Sequence, residues 1–95
     1  MPRPAAIPTV QIDNDRVKVT EWRFAPGAET GWHRHAMDYV VVPQTTGALL
    51  LETAEGSVTS QLTSGVAYAR SVGVEHNVIN GGDGEFVFVE IELKP

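Results

Sequence analysis

The 95-residue chain contains no cysteine. Disulfides, thiolate metal ligands, cysteine nucleophiles and iron–sulfur clusters are therefore excluded, and any metal must be held by nitrogen and oxygen. Basic residues are scarce as well: seven Lys and Arg against twelve Asp and Glu leave a formal net charge of −5. That balance argues against nucleic-acid and anionic-membrane partners, both of which favour basic stripes. Long apolar runs are missing too. Stretches such as Val40 to Val42 are far too short to span a bilayer, and the opening MPRPAAIP lacks the apolar centre of a signal peptide, so a cytoplasmic location is expected. Nor does any window carry a helical stripe.

What is there reads with period two. Val17, Val19 and then Trp22, Phe24 are apolar alternates within RVKVTEWRF, with a change of phase near Thr20 and Glu21 that predicts a bulge. Tyr39 to Val42 and Ala48 to Leu51 are short continuous apolar runs, Ser57 to Leu62 is polar and β-rich, and Phe86 to Leu93 alternates again. Pro26-Gly27, Gly31, Pro43, Gly47, Gly56, Gly65, Gly73 and Gly81-Gly82 punctuate these runs. The pattern predicts an all-β sandwich or barrel of about seven to ten short antiparallel strands. Met1 to Pro8 is expected to form an N-terminal arm, lying along an edge or crossing to a partner, and residues 9–95 a single domain. In the last strand the aliphatic face of Val87, Val89, Ile91 and Leu93 is expected inside the barrel. Phe86 and Phe88 then point outward, as a half-buried pair or as part of a homodimer interface, which a domain this small would use for support.

Only three histidines occur, His33, His35 and His76. On a strand, the H-x-H spacing puts His33 and His35 on one face within reach of a single ion. Around them stand two frames. The first is Gly27, five residues, His33, Arg34, His35 and, further on, Gly47. The second is Gly65, five residues, Ser71, Val72, Gly73, two residues, His76, three residues, Asn80. These frames resemble the two motifs of the cupin superfamily, G-x5-H-x-H-x3,4-E-x6-G and G-x5-P-x-G-x2-H-x3-N, over residues 27–80. The phrases PGAETGWHRH, DYVVV and GVEHNVIN are further similar to small single-domain cupins associated with β-alanine catabolism.

The resemblance implies a double-stranded β-helix, the RmlC-like jelly roll, with a divalent transition metal (iron, zinc, nickel, copper or manganese) held by His33, His35 and His76. The chain departs from the motifs twice. Ser71 replaces a proline, and the glutamate slot holds Tyr39 or Val40, depending on register. Asp38 is the only carboxylate nearby, but strand parity turns it away from the face shared by His33, His35 and Tyr39. Asp38 or Tyr39 as a fourth ligand stays open. Met37, Tyr39 and Val41 share the histidine face and are expected to line the pocket. Arg34 and Trp32 are expected to face outward, and Arg70 to make a surface ion pair, with capture of a substrate carboxylate as its alternative. Glu52, Glu55, Glu75, Glu85, Glu90 and Glu92 are read as solvated. No organic-cofactor site and no specific catalytic residue can be read. All-histidine cupin sites imply a dioxygenase-type oxidoreductase acting on a small molecule, with a non-catalytic metabolite-binding or regulatory cupin as the alternative.

Overall fold

A computed structural model describes residues 2–95; Met1, the first residue of the expected arm, lies outside the described residues. Nine strands follow in order: β1 (Ile7–Asp13), β2 (Val17–Phe24), β3 (His33–Arg34), β4 (Asp38–Pro43), β5 (Gly47–Thr53), β6 (Gly56–Leu62), β7 (Tyr68–Arg70), β8 (Glu75–Asn80) and β9 (Phe86–Leu93). There is no helix among the described residues. The strands form a five-stranded sheet, β1-β2-β9-β4-β7, and a four-stranded sheet, β3-β8-β5-β6, with every strand pairing antiparallel. This is the expected all-β jelly roll. Short strands joined by turns wrap two sheets around one interior, which leaves few strand edges open.

β1 begins at Ile7 and takes an edge position, where Pro8 removes no ladder hydrogen bond from a central strand. Just before it, the chain runs along its own barrel: Ala6 N–H donates to the Glu29 carbonyl and Glu29 N–H to the Pro4 carbonyl, 2.8 and 2.9 Å. Arg3 adds ion pairs to Glu29 and Glu52.

Two local expectations are corrected. β2 pairs with β9 without a break from Val17 to Phe24, and the register shift lies across the hairpin in β1, between Val10 and Ile12. No change of face is needed in β2, because Thr20, Trp22 and Phe24 lie on one face and Val17 and Val19 on the other. The polar Thr20 takes an inward slot and is buried. The second correction is larger: β9 is turned the other way round. Phe86 (3% exposed), Phe88 (5%) and Glu90 (9%) face the interior, whereas Leu93 is 44% exposed. The cross-strand rows explain this. Glu90 lies between Thr20 and Val41, and Phe88 between Trp22 and Pro43, all on the inner face, while Ile91 lies between Val19 and Val40 on the outer one. Both faces of β9 are rich in apolar atoms, so hydropathy does not choose between them. Packing does, because Phe86 and Phe88 join the buried ring of Phe24 in one aromatic cluster inside the barrel.

Those rings form the core. Phe24 and Leu49 are almost wholly buried, and the Phe88 ring packs between Phe24 and Phe86, with centroids 5.4 and 6.5 Å away. Phe86 presses against Gly47, where an added Cβ would come within 3.3 Å of its ring. At the same end Asn80, the last residue of the second frame, acts as a staple. Its Nδ2 donates to the carbonyls of Phe24, Ala25 and Gly84, and its Oδ1 accepts from Gly82 N–H. The other end of the barrel stays open.

Candidate metal centre

The open end is where the three histidines meet. His33 and His76 are direct cross-strand partners on β3 and β8. His35 lies just beyond β3, where its N–H donates to the Val74 carbonyl and its own carbonyl accepts from Gly73 N–H, both at 2.8 Å. Gly73 makes this exchange possible, since its φ of +97° is one that side-chain-bearing residues rarely adopt. The turn lacks the motif's proline at Ser71 but is pinned instead by Asp38, whose Oδ1 accepts from Val72 N–H at 2.7 Å. Asp38 therefore points away from the histidines, as parity expects.

The three imidazoles converge through Nε2. His33 Nε2 and His35 Nε2 are 3.0 Å apart and His35 Nε2 and His76 Nε2 3.1 Å, with ring planes 70–87° to one another. His33 Nδ1 lies 2.8 Å from the Gly31 carbonyl, which can only accept, so Nδ1 carries the proton and Nε2 presents a lone pair. Lone pairs aimed at one another repel unless a cation sits among them. Separations of 3.0 and 3.1 Å are also what right-angle ligation at about 2.1 to 2.2 Å from one ion requires, close to ordinary metal–imidazole distances of about 2.0–2.1 Å. The residues fit a divalent transition metal, and the three ligand atoms lie close enough to share one. Burial, helped by the charges of its two histidine neighbours, holds His35 at a pKa of about 4; burial, His33 and Arg70 do the same for His76. Both are neutral at physiological pH, the form that ligates.

Tyr39 stacks on the His35 ring at 3.8 Å between centroids, with the planes 16° apart. Burial pushes its phenol well above its ordinary value, so beside the metal-free histidines it stands as a protonated wall of the site. No carboxylate joins the three histidines as a fourth member of the cluster among the described residues.

A cavity of about 310 Å³ opens beside the cluster. Tyr39 and Val41 line it as expected from their parity, but Met37 does not: it sits in the turn ahead of β4, and Ala36 takes its place. The floor is apolar, made by Leu49, Leu51, Val78, Phe88 and Trp22. Arg70 does not form the surface ion pair expected of it. Its guanidinium lies 4.7 Å over the Tyr68 ring and donates to the Ala69 carbonyl. Arg34, exposed, packs its guanidinium against the Gly73 turn, and Trp32 is exposed.

Two functional residues escaped the sequence reading. Glu90, read as solvated, is buried in the cavity wall with one carboxylate oxygen 3.9 Å from His35 Nδ1. Burial, and secondarily the charge of Glu92, raise its pKa to about 7. The cue was its alternation with Phe86 and Phe88 on one face of β9. The other is Asn77, whose side chain turns away from the histidines toward the outside of the small sheet. Its Oδ1 accepts from Gly31 N–H at 2.9 Å, and its Nδ2 donates to Glu29 and Glu52 at 2.8 and 3.0 Å. Because Gly31 in turn accepts from His33 Nδ1, Asn77 fixes the loop that orients a ligand. Nothing in the sequence signals this, since all three partners come from distant positions. Glu52, read as solvated, belongs to the same network.

A jelly roll whose open end gathers three imidazoles around one point defines a metal-site cupin. No family model matches the chain. It is 80% identical to a cupin domain of Bordetella pertussis Tohama I whose crystal structure superposes with a TM-score of 0.99, covering 100% of this chain and 99% of that one. A double-stranded β-helix protein of Klebsiella pneumoniae shares the fold, with a TM-score of 0.78 at 23% identity over 96% of this chain and 77% of its own. The β-alanine degradation protein BauB of Pseudomonas aeruginosa is 66% identical over 92 residues, 97% of each chain. This chain belongs to the cupins, in the family of small single-domain members that includes BauB.

Proposed function

We propose that this chain is a metal-dependent cupin enzyme acting on a small metabolite, with oxidation by dioxygen as its reaction class. The observation that carries the reading is the convergence of three imidazole Nε2 atoms on the wall of a cavity at the open end of the barrel. A bound divalent transition metal would supply open coordination positions for substrate and dioxygen. His33, His35 and His76 would hold it, with Gly31 and Asn77 orienting His33. The apolar floor keeps water away, and Glu90 offers a carboxyl whose pKa of about 7 suits it to take or give a proton at the substrate. A cavity of 310 Å³ corresponds to about ten water volumes, the scale of a small metabolite. The name of the Pseudomonas relative, a β-alanine degradation protein, supports a substrate from the breakdown of a small amino acid.

The test is oxygen consumption by iron(II)-loaded protein over a panel of small amino acids, other acids, thiols and diketones. Metal-dependent uptake with one of them is expected. Retained metal and ligand binding without oxygen uptake would overturn the oxidative reading in favour of a non-catalytic binding module.

The chain is further proposed to work as a homodimer. The outer face of the five-stranded sheet carries Val17, Val19, Val40, Val42, Val89 and Ile91, all only partly covered, and continues into the exposed edge strand β1 with Ile7 and Ile12. The five strands, of 7, 8, 6, 3 and 8 residues at about 3.3 Å per residue and about 4.8 Å apart, project roughly 500 Å², over half of the about 800 Å² that one partner contributes to a standard interface. The occupant proposed is a second copy, built on aliphatic residues and not on the phenylalanines. Light scattering at micromolar concentration should give about twice the 10.3 kDa chain mass; a monomer would refute it.

A further inference from the structure

The cavity carries opposite charges that do not pair with one another. Arg70 on β7 and Glu92 on β9 both flank Tyr39 of β4, and all three side chains line the cavity. The strand of Tyr39 separates them, so their backbones stand about 10 Å apart at a strand spacing of about 4.8 Å. Neither makes an ion pair with any described residue, although surface Arg3, Arg23 and Lys94 all do. Arg70 lies close enough to the metal cluster for its charge to act on His76. Two residues deeper than Glu92, on the same face, Glu90 is more than nine-tenths buried and lines the cavity. The basic groups near it are His35, whose Nδ1 lies 3.9 Å away, and Lys18, the cross-strand neighbour of Glu92 on β2, which forms no ion pair with either carboxyl.

The cavity therefore offers cations on the side of the metal cluster, Arg70 and, at its rim, the exposed Arg34, and on the adjoining wall two carboxyl groups, with apolar floor below. A ligand bearing a single charge would satisfy one wall and leave the other facing it unpaired in a confined space. A ligand with both charges satisfies both.

We propose that the cavity selects a short zwitterionic amino acid, its carboxylate held by Arg70 beside the metal cluster and its ammonium group by Glu92 and Glu90. This rests on the reading of the cavity as a metal-dependent substrate site and names its substrate class. Size permits it, since a cavity of about 310 Å³ takes a short amino acid of roughly 100 Å³ with space left for several waters of about 30 Å³ each.

The experiment uses the full chain loaded with zinc, which cannot turn over by redox chemistry, and measures binding by calorimetry. The probes are 3-aminopropanoate, 4-aminobutanoate, propanoate and propylamine, with zinc content determined on the same samples. At least one of the two amino acids should bind ten-fold or more tighter than both singly charged probes. Arg70→Gln should lower its affinity to that of propylamine, and Glu92→Gln to that of propanoate, with zinc retained in both. If zinc is retained but the amino acids bind no tighter than propanoate or propylamine, or none of the probes binds, or the two variants keep full affinity, the zwitterion site is refuted and the metal site stands. If wild-type protein does not hold zinc, the functional reading falls first and takes this site with it.

Discussion

Replacing Glu90 by Gln should change how the metal-free protein's stability depends on pH. In the folded state Glu90 has its pKa raised from 4.5 to about 7, while His35 and His76 are lowered from 6.5 to about 4. The two kinds of shift act in opposite directions. A raised carboxyl contributes stability below its unfolded value of 4.5 that is lost as pH rises through 7. Lowered imidazoles leave the fold most stable above 6.5, with stability lost as pH falls toward 4. At pH 5.5 unfolding lets each of the two histidines take up nearly one proton and makes Glu90 release nearly one, a net uptake of about one proton. Stability should then rise with pH by on the order of 1 kcal/mol per unit, since one proton corresponds to about 1.4 kcal/mol per unit. Glu90→Gln removes the opposing release and keeps the shape of the side chain, so the slope should about double. Below pH 4.5 the two proteins should be equally stable. Above pH 7 the variant should be the more stable by on the order of 2–3 kcal/mol, because it no longer buries an ionised carboxyl. Urea unfolding of chelator-treated protein at fixed concentration, between pH 4.5 and 7.5, measures this directly. Parallel curves for wild type and variant would refute the placement of Glu90 in the cavity wall.

Other consequences are simpler to read. Asn80→Ala removes three donated hydrogen bonds and one accepted one from a site 2% exposed, so it should cost about 2–4 kcal/mol in urea unfolding with no loss of metal affinity in the folded protein. Phe88→Ala should cost about 3–5 kcal/mol, whereas an outward Phe88 would make the change nearly neutral. Asn77→Ala should weaken metal binding about 10- to 100-fold by freeing the loop that carries Gly31, and leave the far-ultraviolet spectrum unchanged; unaltered affinity would remove Asn77 from the site. Asp38→Asn and Tyr39→Phe should both leave the protein metal-loaded; loss of metal from either would establish a fourth ligand.

The features that were legible in the sequence are local. His33 and His35 share a face because strand geometry repeats every two residues, and Gly73 and Asn80 mark turns whose backbone or side-chain chemistry is specific to those residue types. Strand positions followed from glycine and proline punctuation for the same reason. What was not legible depends on long-range partners. The face of β9 was misassigned because Val87, Val89, Ile91 and Leu93 outrank Phe86, Phe88, Glu90 and Glu92 in hydropathy, and only the pairing with Thr20, Trp22, Tyr39 and Val41 shows which set lies inside. Glu90 was lost with it: a carboxyl is an unexpected core residue until the interior is known to hold a polar cavity beside three histidines. The apparent bulge in β2 failed similarly, since an inward Thr20 looks like a change of phase when its buried setting is unknown. Asn77 gathers Glu29 and Gly31 from one loop and Glu52 from β5, a convergence that only folding creates.

The central claim is that His33, His35 and His76 together hold one metal ion. The direct measurement is the metal content of protein produced without an affinity tag, saturated in turn with iron(II), zinc, nickel, copper or manganese, and then dialysed. It is compared with that of the variant carrying alanine at all three positions, with far-ultraviolet dichroism confirming that both remain folded. The account predicts about one ion per chain in the wild type with at least one of these metals and none in the variant, because removing the convergent Nε2 atoms removes every ligand the site offers. Wild-type protein that keeps no more metal than the triple-alanine variant would contradict it.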